Sequence, residues 1–208
     1  MALPATHLRF AAVLADQLAV SDWQAYLSGT LYPDSRWVTG VARQQTHDAR
    51  FRDPAFATDD FTLGWHIHCA CDQIQGDIHA ACLGDLTTLT PIARWVRVSA
   101  AKVIQDMDDA AKGKLSDYLP LLVACQTPNQ ESDVDIDNYF GFVKQAYHCL
   151  STPAWQDYAR LWEQVGLDRP TVLQMENEVQ QMRSDPSLIA TLNAIFDQMV
   201  NQYSIENG

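Results

Sequence analysis

Two side chains four residues apart, His68 and Asp72, are placed to bind one metal ion if residues 61–83 form a helix. This spacing is one helical turn, or about 6 Å along the axis, so the imidazole and the carboxylate lie on the same face. Gln75 and His79 continue that polar face, while the neighbouring face is apolar and predicts burial in a core. A structural His–Asp hydrogen bond is the simpler interpretation of an isolated pair, so a metal site requires further ligands.

The chain supplies three such candidates upstream: His7, Asp34 and His47. His7 falls on the apolar face of a predicted first helix and is therefore expected to point inward, where a single histidine is more often a hydrogen-bonded core residue than a ligand. Asp34 follows Pro33, which we expect to hold Tyr32 in an extended conformation at a bend, although aspartate after proline is also an ordinary turn residue. His47 lies in the segment that links this bend to the central helix.

Neutral imidazoles mixed with carboxylates suit a divalent metal, most of all zinc, with manganese or iron as alternatives. A metal ion with an open coordination position lowers the pKa of bound water toward about 7 and polarises a phosphoryl oxygen. In such a site Asp34 would bind metal and orient or deprotonate the attacking water. Arg36 and Arg43 are candidates to neutralise a substrate phosphate, although each can equally form a surface ion pair.

The elements that must position these side chains are predicted to be helices throughout. We expect an all-α, single-domain bundle of seven or eight helices over residues 1–208, with the motifs in 6–83 and C-terminal helices in 134–204 that complete it. Thr58, Asp59 and Asp60 predict the start of the central helix, because they supply a capping side chain and carboxylates near the helix dipole. The polar, acidic segment 126–137 is expected to be a mobile loop.

The composition of the chain argues against several classes of function. The net charge of −12 argues against a nucleic-acid scaffold and against attachment to anionic lipid. No segment reaches the roughly 18 uncharged apolar residues of a transmembrane helix. The five cysteines include no CxxC pair, so a reducing cytoplasm is the expected location. The oligomeric state stays open.

Three short motifs occur in a specific order: LSGTLYPD at 27–34, the dipeptide Thr46-His47, and a glycine–tryptophan–x–x–histidine–x–x–x–aspartate run at 64–72. Together with His7, this order resembles the zinc-dependent phospholipase C family and its relatives, the single-strand-specific zinc nucleases. The resemblance covers about 6–79 and implies an all-helical fold that cleaves phosphate esters with up to three zinc ions.

The resemblance implies a set of metal ligands, with Asp72 placed to bridge two ions and His79 as the next histidine of the series. The set comprises His7, Asp34, His47, His68, Asp72 and His79. Secreted family members begin with a metal-binding tryptophan where this chain begins Met-Ala, and a later His-x-x-x-Glu pair is absent because Thr152 stands four places after His148. One or two ions are therefore expected.

The sequence thus predicts a metal-dependent phosphoric-ester hydrolase that acts on a phosphorylated small molecule or a lipid head group. One alternative takes His47-Asp48 as the doublet of the helical HD-type nucleotide phosphohydrolases, with His7 and Asp106 as partners. Another is a helical protein that binds metal without catalysis. Whether Asp34 or Asp48 lies with the histidines distinguishes the two enzymes.

Overall fold

The computed structural model describes residues 3–147 and 152–207, and every regular element within these ranges is helical. The α-helices are α1 (Pro4–Leu14), α2 (Trp23–Leu31), α3 (Arg36–Thr39), α4 (Arg43–His47), α5 (Asp60–Cys82), α6 (Pro91–Lys112), α7 (Leu115–Tyr118), α8 (Asp133–Ala146), α9 (Trp155–Gln164), α10 (Arg169–Arg183) and α11 (Pro186–Asn207). Eight of these described helices have nine or more residues, so the predicted all-α architecture is confirmed. His148 lies outside the described residues. None of the described helices combines the length and apolar composition needed to cross a bilayer.

The central helix α5 begins where the sequence predicts. The carboxylate of Asp59 caps it by accepting a hydrogen bond from the amide of Thr62 at 2.7 Å. Asp60 accepts hydrogen bonds from the amides of Ser21 and Asp22, at 3.1 and 2.6 Å. Because these two residues directly precede α2, one carboxylate fixes the starts of α2 and α5 beside each other.

Further along, α2 and α5 are in backbone contact at two glycines. A Cβ atom on Gly29 would lie 2.0 Å from the carbonyl oxygen of Phe61, and a Cβ on Gly64 would lie 2.0 Å from the carbonyl oxygen of Tyr26. Neither position has room for any side chain. The contact also brings the carbonyl of Thr30 to His68 of α5, at 2.8 Å from Nδ1.

The chain leaves α2 without the predicted extended residue. Tyr32 is helical, with φ −51° and ψ −43°, and Tyr32–Ser35 form a 3₁₀ turn that continues the helix. The prediction from Pro33 is therefore wrong, because helical continuation outweighs the usual bias of a residue before proline. The consequence is favourable for the site, since the turn places Asp34 in the interior with 3 % of its surface exposed.

The C-terminal half closes around α1 and α6 through a buried polar network. Asp106 of α6 accepts hydrogen bonds from the amide of Thr6 at 2.8 Å and from the hydroxyls of Tyr147 and Tyr158 at 2.6 and 2.8 Å. Burial raises the pKa of Asp106 to about 6 although these donors oppose the shift. The network fixes α1, and with it His7, against the helices that follow.

The acidic segment predicted to be a mobile loop makes specific contacts with the site-bearing part of the chain. The Tyr32 hydroxyl donates to Glu131, and Asn129 Nδ2 donates to the Tyr32 hydroxyl at 2.7 Å. Gln126 Nε2 donates to Asp59 at 3.2 Å. The segment thus connects the cap of α5 with the turn that carries Asp34.

Replacing Gly64 by alanine tests the helix contact. We expect Gly64→Ala to lower the free energy of unfolding by about 2–4 kcal/mol, because the methyl group must force two backbones apart. Gly76→Ala is the matched control in the same helix: apart from its chain neighbours and the backbone of its own helix, no described atom lies within 4 Å of its added Cβ, and the change should be neutral or stabilising by up to about 1 kcal/mol. Urea unfolding measures both, and equal stability of the two variants would contradict the contact.

Candidate metal centre

Five side chains that are distant in sequence meet in one buried cluster. They are His7 from α1, Asp34 from the 3₁₀ turn, His47 from the end of α4, and His68 and Asp72 from α5. Their donor atoms form two overlapping groups, His7–His68–Asp72 and Asp34–His47–His68, with all atoms of a group within 4.8 Å of one another. None of the five side chains is more than 8 % exposed.

The separations between donor atoms resemble those around a metal ion. His47 Nε2 lies 3.4 Å from Asp34 Oδ1 and 3.1 Å from His68 Nε2. Asp72 Oδ1 lies 3.7 Å from His7 Nε2, while Asp72 Oδ2 lies 3.7 Å from His47 Nε2 and 4.0 Å from His68 Nε2. Ligands at 2.0–2.1 Å from a tetrahedral zinc ion are about 3.3 Å apart. Small adjustments would therefore suffice for either group to bind one ion.

A hydrogen bond fixes the ligand atom of His68. Its Nδ1 lies 2.8 Å from the carbonyl oxygen of Thr30, and a carbonyl only accepts, so Nδ1 carries the hydrogen and Nε2 presents a lone pair to the cluster. Since Nδ1 is occupied, His68 has one nitrogen for one ion. The two groups that share His68 therefore compete for it or contribute ligands to the same ion.

His7 is buried in an unusual state. Its ring stacks on that of His68, with centroids 3.9 Å apart and 13° between the planes. Both ring nitrogens are buried and have no hydrogen-bond partner among the described residues. An unsatisfied buried polar atom costs about 1–3 kcal/mol, so the interpretation of His7 as a hydrogen-bonded core residue does not fit, whereas coordination would satisfy Nε2.

The electrostatics favour the protonation states that metal binding requires. Burial lowers the pKa of His7 well below its usual value and that of His68 to about 4. Burial would raise the pKa of Asp34, but the neighbouring imidazoles of His47 and His68 lower it to about 2. Burial would also raise the pKa of Asp72, but nearby positive charge, including that of Lys102, holds it well below its usual value. Near pH 7 the cluster therefore holds ionised carboxylates and neutral imidazoles at these positions.

His79 is the predicted ligand that does not join either group. Helix α5 continues unbroken past Gly76, so His79 stays about two turns beyond Asp72. Its Nε2 lies 2.9 Å from Oε1 of Gln105 in α6, which also accepts a hydrogen bond from Gln75 at 3.0 Å. This end of the polar face of α5 therefore pairs with α6.

The two predicted substrate-binding arginines occupy different positions. Arg36 is partly buried; burial lowers its pKa, and the charges of Asp34 and Asp72 oppose that effect. Its Nε is buried without a hydrogen-bond partner among the described residues, and its guanidinium lies 4.0 Å from the centroid of the Trp37 ring. Arg43 is exposed, but its charge also acts on Arg36. Of the two arginines, Arg36 is therefore the one whose charge interacts with the carboxylates of the cluster.

The carboxylates of the HD-type alternative lie elsewhere. Asp48 is exposed and caps the 3₁₀ turn Ala49–Arg52 by accepting from the amide of Arg50 at 3.0 Å. Asp106 belongs to the tyrosine network described above. Asp34, and not Asp48, lies with His47 in the cluster, which is the distinction that separates the two enzyme hypotheses.

Sequence inspection missed two contributors to the site. The Thr30 carbonyl that orients His68 is a backbone group and has no side-chain signature. Thr46, whose Oγ1 lies 2.7 Å from His47 Nδ1, enters the sequence prediction only as part of the Thr46-His47 dipeptide. Its role in orienting the ring follows from the adjacency of a hydroxyl and an imidazole at a helix end.

No family model, curated protein or solved structure matches this chain. The chemistry of the cluster is accordingly inferred from its own residues.

Zinc should stabilise the protein. After dialysis against chelator, adding Zn²⁺ to 100 times its dissociation constant should raise the free energy of unfolding by about 2.7 kcal/mol, because the ion binds the folded cluster. Asp72→Asn should lose most of this gain. Asp77→Asn, an exposed aspartate of the same helix, should keep it. A melting temperature that zinc leaves unchanged, or raises equally in Asp72→Asn, would contradict the site.

The metal-free protein should lose stability in acid through His68. Its folded pKa of about 4 lies below the unfolded value of about 6.5. Above pH 6.5 the His68 imidazole is neutral in both states, so it does not penalise folding. As pH falls toward 4 the unfolded chain takes up the proton first, and the free energy of unfolding decreases. Relative to His68→Gln, wild type should lose up to about 3 kcal/mol between pH 7 and 4. Urea unfolding across this range measures the difference, and parallel pH profiles would refute the shift.

Proposed function

We propose that this chain is a metal-dependent phosphoric-ester hydrolase that uses a metal-activated water, similar in its site to the zinc-dependent phospholipase C family. One observation carries the proposal: His7, Asp34, His47, His68 and Asp72 converge in a single buried cluster. A reducing location such as the cytoplasm is part of the proposal and agrees with the free thiols of Cys69, Cys71, Cys82 and Cys125.

The donor set suits one or two zinc ions, and manganese or iron would also accept it. His7, His47 and His68 supply nitrogen, while Asp34 and Asp72 supply oxygen. The two oxygens of Asp72 face different histidines, which is the arrangement of a carboxylate that can bridge. A bound cation would lower the pKa of a coordinated water and polarise a phosphoryl oxygen.

Asp34 and Arg36 have separate roles in this proposal. Asp34 has a pKa of about 2, so it is ionised at neutral pH and is a weak base. It is therefore better suited to bind metal and to orient the attacking water by accepting its hydrogen bond than to retain the proton. Arg36, next to Asp34 and Asp72, supplies a guanidinium for the phosphate of a phosphorylated small molecule or lipid head group.

Activity on a generic aryl phosphodiester tests the proposal. The zinc-loaded protein should hydrolyse it, chelator should abolish the activity, and added zinc should restore it. Asp34→Asn should lower kcat by about 10²–10⁴-fold, because the group that orients the water is lost. Release of the phenol, followed by absorbance, measures the rate.

Asp48→Asn is the control, since it alters the neighbouring exposed carboxylate by the same chemical change and should leave the rate within about twofold. Protein that binds zinc through this cluster but shows no chelator-sensitive hydrolysis would be a non-catalytic metal-binding protein. Loss of activity in Asp48→Asn with retention in Asp34→Asn would favour the HD-type alternative.

A further inference from the structure

His7 differs from the other two histidines of the cluster in how its ring is held. His68 Nδ1 lies 2.8 Å from the Thr30 carbonyl oxygen. His47 Nδ1 lies 2.7 Å from Thr46 Oγ1. Metal-binding histidines are normally oriented by such a partner on the nitrogen that faces away from the ion. Neither nitrogen of His7 has a hydrogen-bond partner among the described residues, so its placement depends on ring stacking and on the backbone that carries it.

That backbone is fixed from α6 by two carboxylates. Asp106 Oδ1 accepts a hydrogen bond from the Thr6 amide at 2.8 Å, and Asp109 Oδ2 accepts one from the Thr6 hydroxyl at 2.7 Å. Asp106 and Asp109 are three positions apart and therefore project from the same side of α6. All three residues are fully buried. The residue directly before His7 is thus held through both its main chain and its side chain.

The bond to Asp106 also supplies a cap that α1 lacks. The Thr6 amide belongs to the first turn of α1, where the amides have no acceptor within the helix. Leu3, which precedes the helix, offers no side-chain cap. Asp106 therefore caps α1 from another helix, and its carboxylate lies where the helix dipole favours negative charge.

The same pair of carboxylates acts on the other side of His7. Arg9 Nη1 donates to Asp109 Oδ1 at 2.6 Å, so Asp109 binds one residue before the histidine and one after it. Asp106 is in turn held by two tyrosine hydroxyls from the C-terminal half of the chain. Helix α6 therefore connects the C-terminal helices to the position of His7.

We propose that Thr6, Asp106 and Asp109 are positioning residues for the candidate metal centre. They hold His7 Nε2 on the side of Asp72, 3.7 Å from Oδ1, in place of the hydrogen bond that orients each of the other two imidazoles. The inference rests on the metal ion of the proposed function and does not require hydrolysis. It assigns a role in metal affinity to buried groups outside the cluster.

Thr6→Val tests the role of the hydroxyl, because it removes the bond to Asp109 and nearly keeps the shape of the side chain. It should weaken zinc binding by about 10- to 100-fold, the usual cost of losing the partner that orients a metal ligand. Thr6→Ser restores the hydroxyl and should bind zinc within about threefold of wild type. Competition with a chromogenic chelator gives the dissociation constants.

The loss should act through His7. In the His7→Ala background, Thr6→Val should change the zinc dissociation constant by about twofold or less, because the positioned ligand is already absent. Co²⁺ gives a second readout: Thr6→Val should shift the visible absorption of the Co²⁺-loaded protein in the same direction as His7→Ala does. Thr6→Ser should keep the wild-type spectrum.

Tyr26→Phe is the control for lost stability. It removes another buried hydroxyl that anchors α1, one that donates to the Ala11 carbonyl at 2.9 Å. It should lower the free energy of unfolding and leave the zinc dissociation constant within about twofold.

A metal-free measurement tests the position of His7 directly. The His7 ring stacks on that of His68 with centroids 3.9 Å apart, so the ring current of His68 should displace the NMR signals of the His7 ring protons. Thr6→Val should change this displacement, whereas Thr6→Ser should retain it.

The outcomes separate the positioning role from the reaction. Zinc binding that depends on the Thr6 hydroxyl only when His7 is present supports the inference even if no ester is hydrolysed, in which case the hydrolase proposal alone fails. Equal zinc binding by wild type and Thr6→Val overturns the inference and leaves the hydrolase proposal intact. An undiminished effect of Thr6→Val in the His7→Ala background, or an equal loss in Tyr26→Phe, also overturns it.

Discussion

The direct backbone contact between α2 and α5 at Gly29 and Gly64 is the constraint on which the candidate metal centre depends. It allows the Thr30 carbonyl to reach His68 Nδ1 at 2.8 Å, and this bond determines which nitrogen faces the cluster. It also sets where α2 ends, and hence where the following turn delivers Asp34. A side chain at the crossing would therefore move both the Thr30 carbonyl, which orients His68, and Asp34. The glycines are thus part of the site although they carry no chemistry.

The interior contains two polar clusters that differ in one physical respect. Around Asp106 each carboxylate oxygen accepts hydrogen bonds from named donors, as expected for polar groups buried to position helices. Around His68 the described partners are incomplete, since His7 has two buried nitrogens without hydrogen bonds. Two ionised carboxylates also lie beside imidazoles whose pKa values are depressed. A cation bound between the two carboxylates would also give the orphaned His7 nitrogen a partner, which is why the second cluster is interpreted as a candidate ligand site.

The sequence patterns correctly predicted the features that depend on residues close together in the chain. The cap at Asp59, the helix that follows it and the shared face of His68 and Asp72 all follow from residues close in sequence. Non-local contacts do not follow from such patterns. Tyr32 is helical, against the prediction, because the turn packs in the interior, and His79 lies beside Gln105 of another helix. Neither Gln105 nor the Thr30 carbonyl could be matched to its histidine from spacing alone, because the pairing is set by how helices pack.

The candidate ligands and the apolar surface beside them come from different halves of the chain. This explains why the sequence predicts metal ligands but not what binds beside them. All five converging side chains lie before residue 73, where histidine and aspartate have recognisable spacing. The surface next to Asp34 is instead built largely by Tyr139, Leu161 and Trp162, apolar residues whose helical periodicity is that of any core. Their position beside Asp34 follows from the packing of α8 against the turn and of α9 against α8. In this fold the N-terminal half supplies the candidate ligands and the C-terminal half supplies the apolar surface beside them, so that surface can change through residues outside the cluster.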